Sequence, residues 1–179
     1  MVTGLLVIAV TLFVFARAAV LRSSGQSAAD AAALAAATES RDKLYQDFRE
    51  AVDGDGDLDD ILTGEDFYVD AACDVAAPRL ANQNDAVLDG CDPLSDGRPG
   101  YEVSVLTNDT LGDTIIPGVP EDQQANGIAT AVIRGLCEVE DEGNAEVELD
   151  CEEEDLTFDP GDEDELPEAR ELFQVYLED

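Results

Sequence analysis

The chain has 179 residues, with 43 acidic side chains against 9 basic ones, a formal net charge of −34, four cysteines, and neither histidine nor tryptophan. That charge excludes a nucleic-acid binder, whose affinity rests on Lys and Arg displacing phosphate counterions, and it opposes lying flat on anionic lipid. The missing histidine removes the commonest general base and metal ligand, so no Ser-His-Asp, Cys-His or His-zinc centre can be built; only a carboxylate-based enzyme remains open.

The first element is an uncharged apolar run, Val2 to Ala16. At 1.5 Å per residue it spans about 22 Å as a helix, short of the ~30 Å hydrocarbon core of a bilayer. Extension through Arg17 to Leu21 reaches that length, with the Arg17 side chain snorkelling to the head groups. We therefore expect a transmembrane segment over 1–21. No basic residue precedes the run, and the nearest cations, Arg17 and Arg22, lie beyond it. Read literally, the positive-inside rule would keep the acidic part in the cytoplasm. The cysteines argue the opposite orientation, so the expectation is a natural start upstream of Met1, or a misassigned one. A cleavable signal peptide with Ala16-Arg17-Ala18 as its small-x-small site is the rival reading.

No Gly-Pro-rich linker follows. Gln26-Ser27-Ala28-Ala29-Asp30-Ala31-Ala32-Ala33-Leu34-Ala35-Ala36-Ala37 continues the helix, since alanine is the strongest helix former. An Ala-rich rod is expected over 22–52. Ala28, Ala29, Ala31, Ala32, Ala35 and Ala36 form a candidate surface for close packing of helices between subunits. Leu34, Ala37, Arg41, Leu44, Phe48 and Ala51 recur at three- and four-residue spacing, a stripe able to pack on the head or on a neighbour.

Asp53-Gly54-Asp55-Gly56-Asp57-Leu58-Asp59 ends the rod. Its alternating acids resemble the start of an EF-hand loop, but Leu58 stands where glycine is needed and Gly64 where the bidentate Glu should be. A helix-ending turn is the plain reading. Weak calcium binding by Asp53, Asp55, Asp57 and Asp59 is the alternative.

The remaining 53–179 reads as one acidic head. Around Pro78 a short helix is expected, followed by a turn at Asn82-Gln83-Asn84-Asp85 and a returning strand Ala86-Val87-Leu88. An uninterrupted helix would hold Cys73 and Cys91 about 27 Å apart, whereas the turn brings them within bridging distance. Tyr101 to Thr107, Ile128 to Glu140 and Ala145 to Cys151 alternate with period two as strands. A hairpin loop at 140–144 sets Cys137 nearly opposite Cys151. Thr110 to Asn126 reads as an irregular connection, and Leu172 to Leu177 as a terminal strand. Four cysteines beyond an export-type segment point to two disulfides in an oxidising space. Three connectivities exist; the turn and the hairpin favour Cys73–Cys91 and Cys137–Cys151. The acid runs 152–155 and 162–165 read as solvated loops. The fold class is α+β, with a long membrane helix, an Ala-rich rod, and a small disulfide-containing head built on an antiparallel sheet.

The apolar run followed by Ala28-Ala29-Asp30-Ala31-Ala32-Ala33-Leu34-Ala35-Ala36-Ala37 resembles the N-terminal signature of TadE/TadG-like proteins of the tight-adherence (Flp) pilus system. The cysteine-bearing, strand-rich remainder, with its end Leu172-Phe173-Gln174-Val175-Tyr176-Leu177, is similar to the actinobacterial branch. The resemblance implies a membrane-anchored, pseudopilin-like structural component of pilus assembly. It would be non-enzymatic and oligomeric, with its head outside the cytoplasmic membrane and its partners other assembly subunits met through the N-terminal helix. It implies no cofactor. Larger members can carry a von Willebrand type A domain, and no DxSxS motif occurs here. The competing expectation is an anchored or secreted acidic module that binds calcium through the 53–59 loop and the acids of 152–165.

Overall fold

The computed structural model describes residues 2–52, 54, 56–65, 67–110, 123–142 and 146–178. Its first element, α1 (Val2–Val52), is one unbroken helix of 51 residues, about 77 Å long at 1.5 Å per residue. No proline interrupts it. Then follow α2 (Leu58–Thr63), a π-helical stretch (Ala72–Ala76) leading into α3 (Ala77–Gln83), and β1 (Ala86–Pro93), β2 (Gly100–Thr110) and β3 (Gln124–Gly135). The chain ends with β4 (Cys137–Glu142), β5 (Val147–Cys151), β6 (Leu156–Phe158), the one-turn α4 (Ala169–Leu172) and β7 (Phe173–Glu178). A four-stranded sheet has the order β1-β2-β3-β7 and a three-stranded sheet the order β4-β5-β6. Every pairing is antiparallel. The fold is α+β.

The core lies between α1 and one face of the larger sheet. Alternate residues of β2, Tyr101, Val103, Val105 and Thr107, point inward, as do Ala129, Ala131 and Ile133 of β3. Opposite them α1 buries Ala28, Ala29, Ala32, Ala33, Ala36, Ala37, Leu44 and Phe48, the three- and four-residue spacing of one helix face. The small side chains let backbone meet backbone. A Cβ placed on Gly127 would stand 2.1 Å from the Gly25 carbonyl oxygen, so β3 and α1 touch at two glycines. Beside this contact the Gln26 amide donates to the Ile128 carbonyl at 3.0 Å and to Asp30 at 2.8 Å.

This packing corrects the expected division at residue 52. The second half of α1 is not a free-standing rod but the central element of the head, flanked by β2, β3, the π-helical stretch and α3. Its buried Ser40 side chain is anchored: the Ser40 and Tyr101 hydroxyls lie 2.6 Å apart, and the Val69 N–H donates to the Tyr101 oxygen at 2.9 Å.

Local signals set the shorter elements. Asp57 caps α2 by accepting the Asp60 N–H, and Gly64 closes it in the left-handed region at φ 60°, where a side chain is disfavoured. Leu58 and Leu62 turn into the core between these caps. The strand expected over Ile128–Glu140 is two strands that belong to different sheets. Leu136 leaves the ladder, its N–H bonding the Leu172 carbonyl and its own carbonyl accepting from Glu152. Leu172, expected in the terminal strand, closes α4, because the Glu168 and Glu171 side chains form a reciprocal capping box. That motif starts a helical turn whatever the strand propensity behind it.

Both disulfides join neighbours in this frame. Cys73, in the π-helical stretch, is bonded to Cys91 on β1 with a Cα separation of 5.5 Å. Cys137 and Cys151 face each other across the β4–β5 ladder at 4.0 Å. The expected connection Thr110–Asn126 falls mostly outside the described residues, and Gln124 to Asn126 already belong to β3.

Candidate functional site

Three features of the surface have functional content: the projecting part of α1, the acidic loops and a groove beside β7. The projecting part comes first because it departs most from what a water-soluble surface tolerates. Among the described side chains of α1 up to Ser24 none is buried, and burial begins at Gly25. Leu5, Phe13 and Phe15 are 71%, 66% and 70% exposed. The most apolar 18-residue window has a mean hydropathy of 2.4 and none of it is buried. The projecting length, about 23 residues or 35 Å, slightly exceeds the hydrocarbon thickness of a bilayer. The structure thus holds one helix long and apolar enough to cross a membrane, with Arg17 and Arg22 at the end nearest the head.

The six alanines expected to pack between subunits divide by position. Ala28, Ala29, Ala32 and Ala36 are fully buried against the chain's own head, so they are not offered to another molecule. Ala31 and Ala35 lie on the opposite flank, half-buried. The signal that would have divided them is Gly127, a glycine inside a strand pattern, which marks a close backbone approach.

Of the four candidate calcium ligands, Asp53 and Asp55 lie outside the described residues. Asp57 is engaged as the α2 cap, and the Asp59 carboxylate accepts the Val139 N–H at 3.4 Å. Among the described residues no group of three or more Asp, Glu or Cys is gathered in a way that could hold a metal ion. The acid-rich segment near the C-terminus serves its own turns. Asp159 accepts from the Gly161 N–H at 2.8 Å and Asp162 from the Asp164 N–H at 3.0 Å.

The groove lies between α1, the first half of β7 and the loop joining β5 to β6, with a volume of about 680 Å³. Leu34, Leu136, Leu156, Phe173 and Val175 contribute its apolar lining, and Arg41, Arg134 and Arg170 its cations, with Glu152–Glu154 along one side. Arg134 donates to Glu152 at 3.0 Å and to Gln174 at 2.8 Å, and Arg170 meets Glu168 at 2.9 Å. Arg134 and Arg170 carried no signal in the sequence, because they come together only through the placing of β3, α4 and β7.

Beyond the groove, Arg98 ties the β1–β2 turn to the end of β7. It bonds Asp96 at 2.8 Å and grips Glu178 with both terminal nitrogens. The guanidinium holds both carboxyls below the usual carboxylate range.

Comparison with protein-family models, with characterised proteins and with solved structures returns no match to this chain.

Proposed function

We propose that this chain is a membrane-anchored, pilin-like structural subunit of a cell-surface assembly of the tight-adherence type, without catalytic activity. One observation carries the reading. A single helix supplies both the exposed apolar segment of bilayer length and the buried centre of the head. A cleaved signal peptide needs no rigid continuation into the folded domain, and a soluble domain needs no exposed apolar extension. Two disulfides support a head on the oxidising side of the membrane. Within this reading the Ala28–Ala36 face builds the subunit, and contacts between subunits fall to the projecting segment and the flanks of the head.

The test is fractionation of the producing cells, with mass spectrometry across the N-terminus and both cysteine pairs. The expected result is recovery in membranes or sheared surface fibres, with the apolar segment retained and both bridges formed. A soluble extracellular form beginning near Val20 would refute the anchor.

A further inference from the structure

One end of the larger sheet lies beside the root of the projecting segment. A Cβ built on Gly25 would stand 3.3 Å from the Thr107 methyl of β2 and 3.6 Å from the Ala125 Cβ of β3. α1 and β3 run the same way, since Gly25 sits by Gly127 near the strand's start while Arg41 and Arg134 line one groove at its end. β2 and β3 therefore continue past Gly25, toward the apolar segment, as far as the pair Thr110–Gln124. β1 starts at this level, because Ala86 pairs with Thr107. α3 descends to the same end and turns into β1 through Asn84 and Asp85.

The depth of this end follows from the length of the helix. With Leu21 at the edge of the hydrocarbon, Gly25 stands four residues, about 6 Å, beyond it. The head-group layer on each side of a bilayer is about 5–7 Å thick. Thr110 and Gln124 reach about 7 Å back from the level of Gly25 along the strands. No hinge separates the two parts of α1, so the unbroken helix holds the ends of β2 and β3 inside the head-group layer.

The cations divide along the same axis. Six of the nine, Arg41, Lys43, Arg49, Arg98, Arg134 and Arg170, are paired with carboxylates. All six lie toward the far end of the head. Among the described residues the other three, Arg17, Arg22 and Arg79, have no carboxylate partner, and all are exposed. Arg17 and Arg22 flank Leu21, and Arg79 stands on α3 about one turn above the end that descends to the membrane. In a chain with 43 acids, three arginines left without a carboxylate at one end are the exception.

Apolar side chains are exposed at this end too. Val87 and Ile128, 50% and 54% exposed, lie on the outer face of the sheet near the level of Gly25, with the half-buried Leu106 paired to Val87. The acids at this end are few: Asp85 and Asp109 are exposed, and Asp30 is held by the Gln26 amide. Arginines with a few acids and apolar side chains fit a lipid that carries both phosphate and ammonium. An anionic surface would meet the repulsion of the whole acidic head.

We propose that this end of the head is a lipid-contact surface, seated in the head-group layer of a zwitterionic phospholipid bilayer. Arg17, Arg22 and Arg79 bond lipid phosphates, Asp85 and Asp109 face the ammonium groups, and Val87 and Ile128 rest among the lipids. The inference depends on the membrane anchor proposed above and deepens it: the head leans on the bilayer through α3 and β1 instead of standing clear of it. Each contact is weak alone, and the anchor makes it effective by holding the surface at the membrane.

The experiment uses the full chain in phosphatidylcholine vesicles, with flotation as the first readout. A nitroxide is attached at Asn108→Cys, near the membrane, or at Ser95→Cys, in the turn at the far end of the sheet. Peptide mapping verifies that both native disulfides stay intact. Relaxation by a water-soluble nickel chelate then reports how far each label is shielded. Shielding at Asn108→Cys several-fold greater than at Ser95→Cys is expected. Adding Arg79→Glu should remove part of that difference, and adding Arg170→Glu should not. Equal accessibility of the two labels in protein that floats overturns the contact and leaves the anchor standing. Shielding that Arg79→Glu leaves unchanged overturns the arginine–phosphate assignment. Stronger shielding in phosphatidylglycerol vesicles than in phosphatidylcholine overturns the zwitterionic one. Protein that does not float overturns the anchor, and the contact with it.

Discussion

At Gly127 the helix and the sheet come within backbone contact, so the first atom of any side chain there collides with the Gly25 carbonyl. Gly127→Ala should destabilise the head by about 1–3 kcal/mol, the usual cost of overpacking, in a chemical-denaturation curve of the full chain in detergent. Ser40 and Tyr101 make a second sensitive point, because both are wholly buried and each hydroxyl partners the other. Ser40→Ala and Tyr101→Phe should each cost about 1–2 kcal/mol. The double variant should cost less than the sum, since the second change no longer orphans a buried hydroxyl. Arg98 provides a pH-dependent contact. It depresses the folded-state pKa of Asp96 and Glu178, so its contribution is complete at neutral pH and fades as pH falls through those lowered values. Arg98→Ala should lower the melting midpoint slightly at pH 7. The gap from the parent should close in acid below the ordinary carboxylate range, about pH 4.

At the level of elements, much was legible from periodicity. The helix was readable from alanine, leucine and the lack of proline, and β2 and β5 from alternation. The turn before β1 and the two cysteine pairs followed from distances a chain can span. What was not legible depended on partners far along the chain. The break at Leu136 arises from bonds to Leu172 and Glu152, and nothing between Ile128 and Glu140 announces it. The inward face of the alanine stretch is set by a glycine about a hundred positions later. Alanine on all sides of a helix fits an exposed rod and a helix enclosed by its own domain equally well, and only the placing of Gly127 and α3 separates them. The two flanks now give different expectations. Ala32→Leu, at a fully buried site, should lower the stability of the head by about 1–3 kcal/mol. Ala35→Leu, half-buried, should leave the melting midpoint within a degree or two and report on contacts between subunits. Equal destabilisation by the two would contradict the enclosed helix.

For the whole molecule, charge and cross-links dominate. With a net charge of −34, self-repulsion opposes the compact state, and salt screens it. The midpoint should rise steadily between about 0.05 and 1 M sodium chloride. Calcium should act as magnesium does at equal ionic strength, because Asp57 and Asp59 are already engaged; a larger calcium-specific shift would point to a true site. The bridges close segments of 18 and 14 residues, for which chain entropy gives about 3 kcal/mol each. Reduction should therefore remove a large part of the head's stability, measured as the drop in denaturant midpoint.

The continuity of α1 also has a mechanical side. There is no hinge between the segment that projects and the segment the sheet enfolds, so tension applied to the distal end of the helix passes axially into the core. Because α1 runs alongside β3, that load shears the alanine face along the strand instead of peeling it away residue by residue. The whole interface resists together, and the Gly25–Gly127 contact is the first to bear the strain.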